Sequence, residues 1–151
     1  MNADSHGLQT ILLVEDNDDH AELILRSLQS VSMGTRIVRV TDGQEALDYI
    51  HREGGFRDSL LNPFPTIVLL DLRLPRVDGL EVLKIIKSDE HLHHIPIVVL
   101  TSSSAEEDIF RSYEYHANSY VVKPFDLPRF MKMMGDLGVY WLNYNATLST
   151  G

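Results

Sequence analysis

Four consecutive aliphatic residues, Ile67–Leu70, constrain the fold of this chain more than any other stretch, and Asp71 follows them directly. A strand without a polar face is typical of a parallel sheet that helices cover on both sides. In such open sheets, ligands bind at the carboxyl edge of the strands, where helix N-termini also point. We therefore expect Asp71 to lie at a binding edge, with the turn-forming role common for aspartate as the alternative.

The remaining apolar segments predict a repeating pattern of strands and helices. Further strands are predicted at 9–14, 35–40, 95–100 and 119–122, and helices at about 19–29, 44–52, 80–87, from 105 onward, and 127–143. Five strands alternating with five helices predict an α/β fold, a doubly wound parallel sheet with right-handed crossovers. Residues 56–65 form a long connection for such a fold, and they predict either a packed lid over the sheet edge or a partner contact.

Composition excludes several classes of protein. The 151 residues fit one domain, and 13 basic against 22 acidic side chains give a formal net charge of −9. This charge argues against direct nucleic-acid binding, which needs clustered basic residues. The chain has no cysteine, so it has neither a disulfide framework nor a thiolate nucleophile. No apolar run approaches the roughly 18 residues of a membrane span, so we expect a cytoplasmic protein without a membrane partner.

An acidic run follows the first predicted strand. Residues 15–19 read Glu-Asp-Asn-Asp-Asp, and two such charges 4 Å apart repel by about 4 kcal/mol at an effective dielectric constant of 20. The charges must either splay into water or share a cation. A helix N-cap at Asn17 or Asp18 accounts for one of these residues but not for all of them.

The ends of four predicted strands together form a chemically coherent set. They carry Glu15 and Asp16, then Asp71, Thr101 and Lys123 in chain order. Three carboxylates at one edge call for a hard cation, and Mg²⁺ suits few carboxylates together with a phosphate oxygen. A metal-neutralised Asp71 can act as a nucleophile toward a phosphoryl group, whose oxygens Lys123 and Thr101 would bind. A second candidate, the loop histidines His91, His93 and His94, lacks patterned acidic or cysteine ligands, so we expect these to be solvated.

These residues resemble the pattern of the response-regulator receiver domain, the phosphoacceptor half of two-component signalling. The acidic pair, Asp71, Thr101 and the Lys123-Pro124 pair occur in the order of that family, with typical intervals of 30 residues from Asp71 to Thr101 and 22 from Thr101 to Lys123. The resemblance implies a CheY-like sheet of order 2-1-3-4-5 and Asp71 as the phosphoacceptor. It further implies that the Arg73 backbone carbonyl is a metal ligand and that Tyr120 is a switch aromatic; a plain core aromatic is the alternative for Tyr120.

The sequence also resembles a subfamily, the stand-alone regulators partnered with bacterial phytochrome histidine kinases. Residues 56–65, 101–109, 111–120 and 140–142 carry this likeness. It implies a sensor kinase as donor, an unknown downstream protein as target, and signalling through the surface of the fourth helix, fifth strand and fifth helix. We expect no enzyme beyond slow autophosphorylation and autodephosphorylation.

The expected domain organisation is simple. It has a flexible N-terminus at 1–8, a receiver domain at 9–144, and a tail at 145–151 without an output domain. In the last helix, Phe130, Met134, Leu137 and Trp141 mark the predicted core face. The apolar residues left over predict a homodimer or kinase contact; these are Met131, Met133, Tyr140 and Tyr144.

Three other functions are compatible with parts of the pattern. A magnesium-dependent aspartyl phosphohydrolase would need a second aspartate two residues after Asp71, where this chain has Arg73. A flavodoxin-like cofactor binder would need a phosphate loop after the first strand, where acids stand instead. A pseudo-receiver that binds partners without phosphorylation is disfavoured because every expected chemical residue is present.

Overall fold

A computed structural model describes residues 9–31, 34–58 and 60–146 of the chain. Its strands are β1 (Thr10–Val14), β2 (Arg36–Val40), β3 (Ile67–Leu70), β4 (Ile97–Thr101) and β5 (Ser119–Val122). Its α-helices are α1 (Asp18–Gln29), α2 (Gly43–His51), α3 (Gly79–Ser88), α4 (Glu106–Glu114) and α5 (Leu127–Val139). The predicted N-terminal segment 1–8 and residues 147–151 of the predicted tail lie outside the described residues. No helix in the described ranges is both long and apolar enough to cross a membrane.

The strands form one parallel sheet in the order β2-β1-β3-β4-β5. This confirms the predicted doubly wound fold and its strand order. Strands β1, β3 and β4 are buried along their whole length, whereas β2 and β5 at the two edges are only partly buried. The aliphatic run Ile67–Leu70 lies at the centre of the sheet because helices cover both of its faces.

Alternate residues of each central strand point into two separate cores. Leu12 and Val14 pack on one side against α2 and α3, through residues such as Ala46, Ile50 and Val82. Ile11 and Leu13 pack on the other side against α1 and α5, through Ile24, Phe130 and Met134. The two cores hold the sheet rigid, so the carboxyl ends of the strands are fixed relative to one another.

The last helix departs from the predicted continuous α-helix over 127–143. It is α-helical as far as Val139 and continues as a π-helical turn over Tyr140–Tyr144. Such a turn has one more residue per hydrogen-bonded ring, which shifts the phase of the buried face. Leu142 is therefore buried, while the predicted core residues Leu137 and Trp141 are half-buried. Met133 also packs against the core, so its prediction as an unpacked residue was wrong.

The long connection at 56–65 combines packed ends with an exposed tip. Phe56 and Phe64 pack against the core, and the Tyr49 hydroxyl donates a 2.6 Å hydrogen bond to the Pro63 carbonyl. Leu60 and Leu61 at the tip are 90% and 61% exposed. The two ends thus cover the sheet as the lid interpretation predicted, whereas the tip presents apolar surface.

Candidate functional site

Backbone hydrogen bonds fix the strand-end residues at one edge of the sheet. The N–H groups of Glu15, Asp71 and Lys123 each donate to a carbonyl of the neighbouring strand, at 3.1, 3.1 and 2.8 Å. The ladder thus continues one residue past each strand, and it holds these side chains in position. The sheet brings together the residues that the sequence placed at four separate strand ends.

Three carboxylates converge at this edge. One oxygen from each of Glu15, Asp16 and Asp71 lies within 4.8 Å of the other two. Glu15 and Asp71 are buried and Asp16 is exposed, so the cluster opens toward solvent on one side. Oxygen ligands in this number suit a hard divalent cation that keeps some of its water. The residues fit such an ion, in agreement with the sequence prediction.

The carboxylates line a cleft of about 510 Å³. Its other lining residues are Asn17, His20, Arg73, Thr101, Ser102 and Ser103. The Arg73 N–H donates to Asp71 Oδ1 at 3.2 Å, so the backbone of Arg73 lies beside the predicted phosphoacceptor. The role of the Arg73 carbonyl as a metal ligand stays a prediction.

Lys123 inserts a buried positive charge among these groups. Its side chain is 3% exposed. Its Nζ lies 2.5 Å from Glu15 Oε1, 3.2 Å from Asp71 Oδ2 and 3.1 Å from His20 Nδ1. An ammonium group has three donors and no acceptor, so these three partners use its full hydrogen-bonding capacity. Lys123 therefore neutralises part of the acidic charge in the cleft.

Burial gives Glu15 an unusual affinity for protons. Its pKa rises from 4.5 to about 7 because the site removes the carboxylate from water, and the negative charge of Asp71 adds to the rise. Hydrogen bonds from Lys123 and the Asn17 N–H oppose this effect only in part. Near neutral pH, a cation entering the cleft therefore competes with a proton on Glu15.

Thr101 and Tyr120 connect the cleft to the loop between β4 and α4. Thr101 is fully buried at the end of β4, and its Oγ1 accepts a long 3.4 Å hydrogen bond from the Ser103 N–H. Tyr120 on β5 is half-buried against the core, and its hydroxyl donates to the Ser103 carbonyl at 2.8 Å. Burial raises the pKa of this hydroxyl, which stays protonated as a donor. The switch role of Tyr120 remains a prediction.

An ion pair that the sequence analysis missed joins the loop after β3 to α4. Arg73 Nη2 lies 2.7 Å from Asp108 Oδ2, and the Ser103 Oγ donates to the same oxygen at 2.6 Å. Acidic residues in the first turn of α4, of which Asp108 is one, also interact favourably with the helix dipole. Ala105 occupies the N-cap of α4, and the Asp108 carboxylate accepts hydrogen bonds from both loops.

Arg39 is a second residue without an assigned role in the sequence analysis. Its guanidinium donates twice to the Glu15 carbonyl, at 3.0 and 2.9 Å, and pairs with Asp18 at 2.8 Å. Asn17 caps α1 by accepting from the His20 N–H, as predicted. The cap and the Arg39 contacts fix the backbone that carries Glu15 and Asp16. A charged residue between Val38 and Val40 of β2 was the signal for Arg39.

The histidines of the α3–β4 connection are not among the converging ligand groups of the described residues. Among the described residues, Glu15, Asp16 and Asp71 are the one group of three or more candidate metal-ligating side chains whose ligand atoms converge. The His93 and His94 rings are 6.3 Å apart at nearly right angles, and His91 faces Glu90.

Known proteins share both the sequence and the fold. The probable methanogenesis regulatory protein FilR2 of Methanothrix harundinacea is 46% identical over 138 residues, 91% of this chain and 86% of FilR2. The response regulator Rcp1 of Synechocystis sp. is 37% identical over 94% of this chain and 95% of Rcp1. A crystal structure of Rcp1 in its Mn²⁺-bound form matches with a TM-score of 0.88 at 35% identity, covering 93% of this chain and 99% of that one.

A further solved structure is the phosphorylated cyanobacterial phytochrome response regulator RcpA. It matches with a TM-score of 0.89 and 38% identity over 95% of this chain and 100% of that chain. The family model of the response regulator receiver domain matches residues 11–135. This range contains the residues of the acidic cleft and all five strands, apart from Thr10, the first residue of β1. By sequence, fold and strand-end residues, this chain belongs to the response regulator receiver domain family.

Proposed function

We propose that this protein is a response regulator that accepts a phosphoryl group from a sensor histidine kinase on Asp71. The observation that carries the proposal is the convergence of three carboxylates, the Thr101 hydroxyl and the Lys123 ammonium at one edge of the sheet. In the transfer, an Asp71 oxygen forms a bond to phosphorus as the bond between phosphorus and the kinase histidine nitrogen breaks. The imidazole of the kinase is the leaving group.

Mg²⁺ is the cation we propose for the cleft, held by the carboxylates of Glu15, Asp16 and Asp71 and by the Arg73 carbonyl. The converging oxygens support this assignment, and the Mn²⁺-bound form of the relative Rcp1 supports a divalent ion. When bound, the ion supplies positive charge that lowers the repulsion between Asp71 and an incoming phosphoryl group. Glu15 binds the ion only in its ionised form, and its pKa of about 7 therefore makes ion binding stronger as the pH rises through neutrality.

The chain's own residues provide the remaining stabilisation. Lys123 already lies within hydrogen-bonding distance of Asp71, so its charge needs little movement to reach a phosphoryl oxygen. Thr101 lies at the end of the neighbouring strand, where its hydroxyl can donate to a second oxygen. Its present contact with the Ser103 N–H is long and therefore weak, so little interaction is lost when the hydroxyl turns toward the phosphoryl group.

Signalling follows from the contacts between this site and the α4–β5–α5 surface. Movement of Thr101 and Ser103 alters the hydrogen bond from Tyr120, which lies on β5. The surface formed by α4, β5, α5 and the β5–α5 connection carries exposed apolar side chains: Phe110, Tyr113, Val122, Phe125, Leu127 and Met131. We propose a two-state shift in this surface as the output, read by a downstream protein.

We propose a phytochrome-type histidine kinase as the cytoplasmic donor, because RcpA, a phytochrome response regulator, shares the fold over 95% of this chain. We also propose a homodimer through the last helix, where Met131, Tyr140 and Tyr144 are exposed. No enzyme activity is proposed beyond slow self-phosphorylation and hydrolysis.

A phosphotransfer assay tests the proposal. A purified phytochrome histidine kinase is autophosphorylated with radiolabelled ATP and then mixed with this protein and Mg²⁺. We expect label to move to the wild type and to Asp136→Asn, a control at an exposed aspartate, and not to Asp71→Asn. Labelling of Asp71→Asn at the wild-type rate would reject the phosphoacceptor assignment. Rapid release of inorganic phosphate over many turnovers would instead indicate a phosphohydrolase.

A further inference from the structure

His20 makes a contact with Lys123 that the proposed function does not yet use. The residue lies in the first turn of α1, and its Nδ1 is 3.1 Å from Lys123 Nζ. Because the ammonium can only donate, Nδ1 must be the acceptor, and the ring proton must be on Nε2. The imidazole is therefore neutral in this arrangement.

The surroundings of His20 favour this neutral form and hold the ring in place. Burial lowers the pKa of His20, and the charge of Lys123 lowers it further, against the opposing effect of Asp71, Asp19 and Asp16. The ring is tilted against the buried Phe130, with a centroid distance of 6.5 Å. The Asn17 cap accepts from the His20 N–H and fixes the backbone below the ring.

The three acceptors of Lys123 differ in what metal binding does to them. Glu15 and Asp71 are carboxylates that a cation in the cleft also needs, whereas the neutral His20 nitrogen lies outside the converging carboxylate group. A cation that binds these two carboxylates weakens two of the three hydrogen bonds that the Lys123 ammonium donates. His20 is then the acceptor that remains to hold Lys123 beside Asp71.

We propose that His20 is a positioning residue for phosphoryl transfer: it holds Lys123 at Asp71 and lets the carboxylates turn to the metal. The proposal rests on the proposed function of Asp71 and Lys123. It assigns His20 no contact with the phosphoryl group and no proton transfer. What matters is one neutral acceptor at the position of Nδ1.

Two substitutions at position 20 separate this acceptor from the bulk of the ring. His20→Asn places an amide oxygen near the position of Nδ1, whereas His20→Leu fills a similar volume without an acceptor. His91→Leu, at a side chain that is 85% exposed and remote from the cleft, is the matched control. Should His20→Leu fail to fold by near-UV circular dichroism, His20→Phe retains an aromatic ring against Phe130 and also lacks the acceptor.

Labelling by acetyl phosphate provides the first readout, followed by intact mass spectrometry over a Mg²⁺ titration. Loss of one hydrogen bond to a charged group predicts that His20→Leu is labelled about tenfold more slowly at saturating Mg²⁺. We also expect its Mg²⁺ midpoint to rise by roughly threefold or more, because Lys123 then binds only the carboxylates. His20→Asn should stay within about threefold of the wild type in both quantities.

The Lys123 ammonium signal in ¹H–¹⁵N NMR provides a readout independent of phosphorylation. In the metal-free protein this signal should be protected from exchange in the wild type and in His20→Asn, and it should shift and exchange faster in His20→Leu. If the Asn and Leu variants behave alike in labelling and in the NMR signal, the positioning role is wrong. If the wild type itself is not labelled on Asp71, the proposed function fails, while the NMR comparison still decides the Lys123–His20 contact.

Discussion

Replacement of Lys123 by methionine tests the charge balance of the cleft. Methionine fills much of the same volume but has no charge, so Glu15 and Asp71 lose their buried cation. At an effective dielectric constant of 20, the ammonium attracts these carboxylates by about 7 kcal/mol at 2.5 Å and about 5 kcal/mol at 3.2 Å. Desolvation of the ammonium, several kcal/mol in size, offsets much of this attraction. Glu15, whose pKa is already about 7, can also take up a proton in the variant, and this reduces the loss further because the neutral carboxyl needs no cation.

The net expectation is a loss of about 3 kcal/mol in the free energy of unfolding at pH 7 without metal. Urea denaturation in EDTA should show a midpoint lower by roughly 1–2 M. Because the remaining carboxylates repel more strongly when Glu15 is ionised, the loss should be larger at pH 8 than at pH 6. Mg²⁺ should recover much of the loss, since the ion replaces the missing positive charge, and it should stabilise the variant more than the wild type.

Lys132→Met is the matched control, because this lysine is 80% exposed and its ion pair is with Asp136 on the same helix. Its midpoint should change by little in either buffer. A Lys123→Met variant as stable as the wild type in EDTA, or one whose stability does not respond to Mg²⁺, would refute the reasoning that Lys123 balances these carboxylates.

Three further substitutions test other parts of the structure. Burial lowers the pKa of Lys87 from 10.5 to about 8, so between these pH values the unfolded chain binds a proton that the folded chain has released, and stability rises with pH. Urea denaturation at pH 7.5 and at pH 9.5 measures this rise in the free energy of unfolding. Because Lys87 is partly exposed, we expect the rise to be only about 1 kcal/mol larger in the wild type than in Lys87→Met. Gly79→Ala would place a Cβ 2.4 Å from the Asp71 carbonyl oxygen and should cost about 2–3 kcal/mol of unfolding free energy. Gly55→Ala meets no atom within 4 Å and should cost less than about 0.5 kcal/mol. Asp108→Asn should weaken the contact with Arg73, with a small effect on stability and faster amide exchange in the β4–α4 loop; unchanged exchange would show that this ion pair does not hold the loop.

Much of the fold could be predicted because the central strands are apolar on both faces, which is typical of a parallel sheet between two layers of helices. A run such as Ile67–Leu70 needs cover on both faces, and right-handed crossovers then bring the strand ends to one edge. The π-helical turn at Tyr140–Tyr144 could not be predicted in this way. A one-residue shift of phase leaves the apolar spacing almost unchanged, yet it buries Leu142 and leaves Trp141 half-buried against the core.

The convergence of the candidate site could also be predicted, since its residues stand directly after strands. The side-chain pairs within it could not. His20 and Lys123 are 103 residues apart, and Arg73 and Asp108 are 35 apart, so neither contact has a local spacing. Each of the two contacts depends on how side chains from different secondary-structure elements are oriented in the folded protein. Similarly, the raised pKa of Glu15 reflects burial by the assembled cleft, which an acidic run in the sequence does not reveal.

In the function proposed above, Asp71 accepts a phosphoryl group in a cation-dependent reaction. The most direct measurement is intact mass spectrometry after incubation with acetyl phosphate, with Mg²⁺ or with EDTA, followed by peptide mapping of the modified residue. We expect a single added phosphoryl group on Asp71 with Mg²⁺ and almost none with EDTA. Modification of another residue, or equal modification in EDTA, would contradict the account.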